Sequence, residues 1–262
     1  MNTEHYHACY EIYYMLSGER YYFIKDSTFH VKKGDLVIIN KYELHRTTCV
    51  NNPIHERIVI NFKDEFLKGH LESINDIDLL NVFKQDMNVI ILNINHQNYI
   101  ESLLLRMVKE NQRKTHGYYT YLKLMLMELL VFIGRYSQYA EVNKIEHPGT
   151  IDKKISDVAR YINENYMHDV SLNSVAQIFY VSPFYLSKMF KKVTGFNFVE
   201  YINHVRIKEA QKILRGTKLS VPQVVEKVGF DSIPHFGRVF KKICGVSPLQ
   251  YRSLSKERNI EY

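Results

Sequence analysis

The sequence predicts a multidomain β-then-α protein, in which an antiparallel β-region precedes an all-α region. Three observations support this fold class. Short aromatic and β-branched runs separated by turn residues occupy residues 10–62. From about residue 98 onwards, apolar residues recur instead at helical spacing. A lysine-containing segment then occurs twice in the last two-fifths of the chain, which points to repeated helical units.

Composition limits the class of protein. The 262 residues are enough for one large or two ordinary domains, and the 45% of hydrophobic residues excludes wholesale disorder. The 3 cysteines, Cys9, Cys49 and Cys244, are scattered, which argues against a disulfide framework. No signal-peptide pattern opens the chain, and no apolar stretch is long enough to span a bilayer. We therefore expect a cytoplasmic protein with no membrane partner.

The net charge of +7 is concentrated in the second half of the chain. Residues 1–149 contain 17 Lys and Arg against 18 Asp and Glu, whereas residues 150–262 contain 18 against 10. A basic segment joined to a nearly neutral one favours binding of a polyanion such as nucleic acid. A basic surface without such a partner is the alternative.

A linker is predicted at residues 146–150. Pro148 and Gly149 interrupt the helical pattern there, at the point where the charge balance becomes basic. We therefore expect a first domain over residues 1–145 and a second domain over residues 151–262.

The β-region of the first domain is predicted to form an antiparallel barrel or sandwich. Ser17-Gly18-Glu19 and Lys33-Gly34-Asp35 are turn signals, and strand-like runs lie on both sides of each turn. Short strands with turns at this spacing are typical of sheets that close or pack face to face. The runs span residues 10–16, 21–24, 36–39 and 57–62.

Two helices are predicted to follow at about residues 98–142. The first has apolar residues at helical spacing between Ile100 and Val108, and the second begins after Gly117. The second helix is apolar on two faces, one with Leu124 and the other with Leu126, so it needs two partners. One partner is the β-region. The other is either a second subunit, which would make this a dimerisation helix, or the interior of the same chain.

The second domain contains an internal repeat. Residues 190–195 read Phe-Lys-Lys-Val-Thr-Gly, and residues 240–245 read Phe-Lys-Lys-Ile-Cys-Gly. Each copy follows a shorter helix that begins at a serine N-cap, and another serine opens the longer helix. These serines are Ser171 and Ser182 in the first copy, and Ser220 and Ser232 in the second. Two short helices joined by a tight turn form a helix-turn-helix, predicted at about residues 171–194 and 220–244.

The second helix of each pair has an outward face suited to DNA. Because an α-helix fits the major groove, its N-terminal residues can reach base edges. The outward residues are Phe184, Ser187, Lys188 and Lys191 in the first unit, and Pro234, Gly237, Arg238 and Lys241 in the second. Lys188 and Arg238 suit guanine or phosphate, whereas Lys191, Lys192, Lys241 and Lys242 suit phosphate. An ordinary solvated helix face is the alternative.

The run from Ser171 to Arg252 resembles the DNA-binding domain of AraC/XylS-type bacterial transcriptional regulators. The resemblance rests on the stretches at residues 182–192, 194–195, 200–202, 228–230, 238–242 and 247–248. It implies that a long helix, about residues 199–215, joins two DNA-binding units and that double-stranded operator DNA is the partner. The base-reading residues that it implies are Phe184, Ser187 and Lys188, with Ile233, Pro234, Gly237 and Arg238; Ser182 and Ser232 complete the DNA-binding set.

The second unit departs from the pattern of this family. Ile233, Pro234 and Gly237 stand where polar residues are common, and none of the three side chains can donate a hydrogen bond. Ile233 could still contact a thymine methyl group. We therefore predict that the first unit reads most of the sequence and that the second mainly grips phosphate.

The first half resembles the sensor domain of the same family, a cupin-like β-barrel. The resemblance rests on residues 5–7, 11–14, 17–18, 34–36, 43–46 and 56–59. It implies a small-molecule effector, for which the candidate residues are His5, His7, Glu11, Tyr13, His45 and Arg46. Aromatic and polar groups of this kind suit a carbohydrate or another small polar metabolite. Because the chain begins shortly before His5, we expect the first strand of the barrel to be incomplete.

A metal-dependent cupin enzyme is the alternative for this domain. The spacing of His5, His7, Glu11 and Gly18 resembles the first metal motif of enzymatic cupins, and His45 falls where their last His ligand lies. Three imidazoles and one carboxylate would suit Zn, Mn, Fe or Ni. The second motif is degraded, however, since Asn40 and Tyr42 replace its Pro and Gly. We therefore expect no cofactor and no catalysis, with a divalent metal at His5, His7, Glu11 and His45 as the alternative.

Together these features predict a non-enzymatic transcriptional regulator in which effector binding is coupled to DNA binding. The expected partners are double-stranded operator DNA, a small-molecule effector such as a sugar, and a second copy of the chain in a homodimer. RNA polymerase would be a further partner if the protein activates transcription. A dimer would place two DNA-binding domains on one operator and raise affinity through effective concentration.

Overall fold

A computed structural model describes residues 8–50, 53–69, 78–85, 87–139 and 150–260. The chain divides into two compact units, one built mainly from residues 1–148 and the other mainly from residues 149–262. Of the predicted linker at residues 146–150, only Thr150 lies among the described residues, and it begins a helix.

The first unit contains two antiparallel sheets, which confirms the predicted β-then-α order. The strands are β1 (Tyr10–Ser17), β2 (Glu19–Ile24), β3 (Ser27–Lys32), β4 (Asp35–Ile39), β5 (His45–Cys49), β6 (Glu56–Phe62) and β7 (Val89–Ile91). One sheet has the order β6-β1-β4-β7 and the other has the order β3-β2-β5. The strands of the described ranges thus form two sheets and not one closed sheet. All four predicted runs are strands, whereas β3, β5 and β7 were not predicted.

Side-chain alternation along β1 separates two hydrophobic cores. Tyr13 and Met15 pack between the two sheets, in a cluster that also contains Tyr22. Ile12 and Tyr14 point to the opposite face and pack against the helices. Strand β1 is central in its sheet and pairs with both β4 and β6, so its two faces contribute to both cores of the unit.

Among the described residues, three α-helices follow β6 in this unit, α1 (Asp64–Leu67), α2 (Ile94–Arg113) and α3 (Tyr118–Tyr139), and a short 3-10 helix lies at Asn81–Phe83. The Asn93 side chain caps α2 by accepting a hydrogen bond from the His96 amide. One face of α3 packs into the core, whereas Leu124 on another face remains 52% exposed. The second apolar face of α3 is therefore not buried by the described part of its own unit. No helix in the described ranges is long and apolar enough to cross a membrane.

All regular secondary structure that the second unit has in residues 150–260 is helical. Its helices are α4 (Thr150–Asn165), α5 (Leu172–Ile178), α6 (Pro183–Thr194), α7 (Phe198–Gly216), α8 (Val221–Lys227), α9 (Ile233–Cys244) and α10 (Pro248–Ile260). Helix α7 corresponds to the predicted joining helix. The apolar side of α7 carries Ile207, Ala210 and Leu214, which pack against Phe236 and Phe240 of α9. This packing forms the core of the second helix-turn-helix.

Candidate nucleic-acid interface and sensor cluster

The four serine N-caps predicted from the repeat are confirmed. Ser171 and Ser220 each form a capping box at the start of the shorter helix. Ser182 accepts a hydrogen bond from the Tyr185 amide at 3.2 Å, and Ser232 accepts one from the His235 amide at 3.4 Å. At Ser182 and Ser232 the hydroxyl oxygen is the acceptor, so the hydroxyl hydrogen stays available for donation to a phosphate, whereas the Ser220 hydroxyl donates to Gln223 Oε1 at 3.0 Å.

The two helix-turn-helix turns share one backbone geometry but differ in length. The Val181 amide donates to the Ala176 carbonyl at 3.0 Å, and the Phe230 amide donates to the Val225 carbonyl at 3.1 Å. Four residues separate α5 from α6, whereas five separate α8 from α9. The extra residue of the second turn is Asp231. The longer helices α6 and α9 therefore correspond at an offset of fifty residues, from Ser182 to Ser232. The shorter helices α5 and α8 correspond at one residue fewer, from Ser171 to Ser220.

Each turn also contains a residue in the left-handed backbone conformation. Tyr180 in the first turn has φ +53, and Gly229 in the second has φ +77. Glycine adopts this conformation without a steric penalty, whereas a residue with a side chain is strained in it. Tyr180 is also 93% exposed. Its ring therefore projects into solvent from the tip of the first turn.

Helix α6 presents the predicted DNA-reading face to solvent. Leu186, Phe190 and Val193 are buried beneath the helix. On the outward side, Phe184 is 79% exposed, Ser187 is half-buried, and three lysines are exposed. These lysines are Lys188, Lys191 and Lys192. The structure thus places all of the predicted contact residues of this helix on one accessible side.

The outward side of helix α9 offers fewer side-chain hydrogen-bond donors than the outward side of α6. Ile233 is 48% exposed, Pro234 is exposed and Gly237 is half-buried. The exposed cations are Arg238, Lys241 and Lys242. In the described part of the chain, none of the six cations on α6 and α9 lies within ion-pair distance of a carboxylate. Both faces therefore offer unpaired positive charge.

Arg206 of α7 holds the second turn in place, a role that was not predicted. Its Nε donates to the Tyr166 carbonyl at 2.9 Å, and its Nη2 donates to the His168 carbonyl at 3.0 Å. The guanidinium also lies over the Phe230 ring at 5.7 Å. Burial lowers the pKa of Arg206. These contacts join α7, the loop after α4 and the turn before α9.

In the first unit, Glu11 and His45 meet in a buried polar cluster with Tyr22. The Tyr22 hydroxyl donates to Glu11 Oε1 at 2.9 Å, and His45 Nε2 lies 3.8 Å from Glu11 Oε2. His45 Nδ1 lies 2.8 Å from the Glu43 carbonyl, which can only accept, so Nδ1 carries a proton. Burial and the nearby Glu11 charge raise the pKa of Tyr22 well above its ordinary value. Tyr22 was not predicted here, although its aromatic ring lies in a strand-like run.

The remaining candidate effector residues are placed differently. The Tyr13 ring packs edge-on against Tyr22 at 5.2 Å, and burial raises the pKa of Tyr13 to about 12. Arg46 is adjacent to His45 on β5 and lies opposite Phe23, whereas His45 lies opposite Ile24 of the inner cluster. The structure therefore directs Arg46 away from the polar cluster, because neighbouring residues of a strand point to opposite faces.

His5 and His7 lie outside the described residues, so the proposed four-residue metal set is only half covered. Within the described ranges, no group of three or more His, Cys, Asp or Glu side chains could hold a metal ion. What the structure brings together is Glu11, Tyr22 and His45, a set of hydrogen-bonding groups between two sheets.

Two family models match this chain. An AraC-like ligand-binding domain matches residues 2–130, and a helix-turn-helix domain matches residues 175–253. The fold and these matches define a protein with a ligand-binding domain followed by a DNA-binding domain. The chain belongs to the AraC/XylS family of transcriptional regulators.

Three relatives illustrate how far the similarity extends. An uncharacterized HTH-type regulator, YijO of Escherichia coli, is 42% identical over 92 residues, which are 35% of this chain and 32% of that protein. YfiF of Bacillus subtilis, another uncharacterized HTH-type regulator, is 25% identical over 259 residues, covering 97% and 79%. The arabinose operon regulatory protein of Escherichia coli is 30% identical over 140 residues, covering 48% of each chain. The chain thus spans less than half the length of two of these relatives.

Proposed function

We propose that this protein is a sequence-specific DNA-binding transcriptional regulator, without enzymatic activity, whose first unit responds to a small-molecule effector. The carrying observation is the pair of exposed basic helices α6 and α9, each presented by a capped helix-turn-helix. Such helices fit the major groove. Their six unpaired cations would neutralise phosphates and release counterions, which makes affinity strongly dependent on salt.

The two helices are proposed to contribute unequally. Lys188 on α6 can donate to a base edge beside the exposed Phe184 ring and the Ser187 hydroxyl. On α9, Arg238 stands beside Pro234 and Gly237, which offer no side-chain donor. We therefore assign base reading mainly to α6 and phosphate contacts mainly to α9.

Alanine substitution at the two cations tests this division. Lys188→Ala should weaken binding to the preferred sequence by about 1–3 kcal/mol and relax the preference at one base pair. Arg238→Ala should weaken binding to all sequences alike and lower the salt slope by about 1. Fluorescence anisotropy with labelled duplexes at several salt concentrations measures both effects. Lys109→Ala, on an exposed position of α2, is the control. Greater relaxation by Arg238→Ala than by Lys188→Ala would contradict the assignment.

We also propose a homodimer formed through the outer face of α3. This face carries the exposed Tyr121 and Leu124, and it continues into an aromatic hollow of about 500 Å³. Glu128 and Arg135 line that hollow and lie seven positions apart on α3. In a two-fold dimer with antiparallel α3 helices, Glu128 of each copy would face Arg135 of the other.

Charge reversal tests this dimer register. Arg135→Glu should dissociate the dimer because it would bring two carboxylates together at each end of the contact. The double variant Glu128→Arg with Arg135→Glu should restore it. Sedimentation velocity across a concentration series measures the populations. A wild-type chain that stays monomeric, or an Arg135→Glu variant that dimerises as tightly as wild type, would contradict the proposal.

For the effector, we propose a small polar molecule such as a sugar, bound at the Glu11, Tyr22 and His45 cluster. Carboxylate, phenol and imidazole groups offer the donors and acceptors that hydroxyl groups need. Similarity to a regulator named for the arabinose operon makes arabinose a reasonable first candidate. Calorimetry with arabinose and other sugars tests the proposal, and Glu11→Gln should abolish the heat of binding. Absence of binding by every sugar tried would contradict it.

We propose that this cluster holds no resident cofactor. We also propose that RNA polymerase is a partner if the protein activates transcription. Elemental analysis of the purified full chain tests the first point. A stoichiometric divalent metal that is lost on His45→Ala substitution would favour the metal-dependent alternative.

A further inference from the structure

We propose that the first unit holds a second ligand site, which binds a small amphipathic molecule with an apolar body and an anionic end. The site is a cavity of about 580 Å³ between β6 and the helices α2 and α3. This volume lies within the range of about 300–1,000 Å³ that is usual for small-molecule pockets. This cavity is distinct from the proposed effector cluster, and its occupancy does not depend on DNA binding.

Three elements supply an apolar wall for this cavity. Strand β6 contributes Ile58, Ile60 and Phe62, α2 contributes Leu104, Met107 and Val108, and α3 contributes Leu122 and Leu126. The Phe66 and Tyr119 rings also line it and meet edge-on at 5.1 Å. A wall of this composition is suited to an apolar molecule and not to a polyhydroxylated one.

Several of these wall residues are not fully buried by the protein itself. Ile58, Ile60, Val108 and Leu122 are only half-buried, whereas Leu103, one helical turn before Met107, is fully buried. Apolar area that remains exposed in a concave site is area that a ligand can remove from water, which favours binding. The cavity therefore offers a hydrophobic contribution to binding that the folded chain leaves unused.

The polar groups of the site favour an anionic end on the ligand. Lys63 lines the cavity together with Asn61, Glu65 and Asn111, and all four are exposed. Lys63 forms no ion pair with any residue in the described ranges. The Lys123 ammonium lies over the Phe66 and Tyr119 rings at 5.7 and 5.1 Å, so a second cation adjoins the site. Two ammonium groups against one carboxylate leave this end of the cavity positive.

The cavity is separate from the Glu11 cluster. Glu11 is part of the polar cluster between the two sheets, whereas Ile12 of the same strand packs in the core that includes Leu104 and Leu126. The two sites therefore lie on opposite faces of one sheet. An occupant of the cavity would touch β6, α2 and α3 at once, and so would stabilise the packing of the helix pair on that sheet.

Binding of the anionic dye 1-anilinonaphthalene-8-sulfonate to the full chain tests the proposal. The wild-type protein should bind about one dye per chain, with saturable enhancement of fluorescence. Val108→Trp should fill the cavity and weaken dye binding by about tenfold or more, equivalent to about 1.4 kcal/mol. Leu105→Trp, on an exposed position of the same helix, should leave the dye affinity unchanged.

Two further readouts make the result decisive. The chain has no tryptophan, so each variant carries a single indole, whose emission should be blue-shifted for Val108→Trp and red-shifted for Leu105→Trp. Lys63→Glu should weaken binding of the anionic dye about tenfold but leave binding of the neutral dye Nile red unchanged, and it keeps the proposal testable if Val108→Trp fails to fold. Absence of saturable dye binding, equal affinities of the two tryptophan variants, or equal effects of Lys63→Glu on both dyes would overturn the proposal.

Discussion

Replacing Gly229 with alanine should loosen the second DNA-binding unit. Gly229 has φ +77, and an added Cβ would lie 2.7 Å from the Met167 carbonyl oxygen and 2.9 Å from that of Tyr166. These oxygens belong to the loop after α4. Arg206 already binds the Tyr166 carbonyl at 2.9 Å, which limits how far this loop can move away. The new methyl group therefore cannot be accommodated without a shift of the backbone.

Two terms contribute to the expected loss of stability. The left-handed conformation costs a residue with a Cβ about 1 kcal/mol. Overpacking against a constrained neighbour costs typically about 1–3 kcal/mol. Gly229→Ala should therefore destabilise the second unit by about 2–4 kcal/mol. Gly245→Ala is a matched control, because Gly245 also has φ +77 but an added Cβ would meet nothing within 4 Å, so only the first term applies.

Native-state hydrogen exchange of the α8 and α9 amides measures the local effect, since a chain of two units need not unfold in one step. Gly229→Ala should accelerate exchange in these helices far more than Gly245→Ala, and it should weaken DNA binding. Equal effects of the two substitutions would refute the steric reasoning.

Three further predictions concern individual side chains. Burial raises the pKa of Tyr13 to about 12, so the folded state favours the neutral phenol. The stability that this preference contributes is present in full below about pH 10, and about 2–3 kcal/mol of the free energy of unfolding should be lost as the pH rises towards 12. Tyr13→Phe should remove this loss in alkaline unfolding curves. Burial also raises the pKa of Cys244 to about 12, so maleimide should label the exposed Cys49 at neutral pH well before Cys244, and equal labelling rates would contradict this environment. Arg206→Lys should lower the free energy of unfolding of the second unit by about 1–2 kcal/mol, because one ammonium cannot reproduce the guanidinium contacts to two carbonyls. Thermal unfolding measures this change, and an unchanged melting temperature would show that these contacts contribute little.

Much of the second unit could be predicted from local signals. The serine caps, the apolar stripe and the repeated segment each depend on residues close together in the chain, so the boundaries of α6 and α9 follow from sequence. The one-residue insertion at Asp231 was not predicted. Asp231 lies in a turn, where apolar spacing gives no signal. The matching backbone hydrogen bonds of the two turns show which residues are equivalent and so reveal the extra residue.

The first unit shows where local signals fail. Strand β5 carries Arg46, Thr47 and Thr48, a polar run without apolar alternation, and it is a strand because it pairs with β2. The register of this pairing places His45 on the face of the sheet that carries the Glu11 cluster, and Arg46 on the opposite face. The cavity beside β6 likewise depends on how α2 and α3 pack on the sheet, which no local pattern specifies.

Selection of bound sequences from random duplex DNA, using the full chain at physiological salt, tests the central claim most directly. We predict enrichment of a defined sequence in wild-type selections, with arabinose or another candidate sugar altering the strength of enrichment. Lys188→Ala should lose part of the enriched motif. No enrichment of any sequence by the wild-type chain, with binding equal on all duplexes, would contradict the claim that α6 reads DNA sequence.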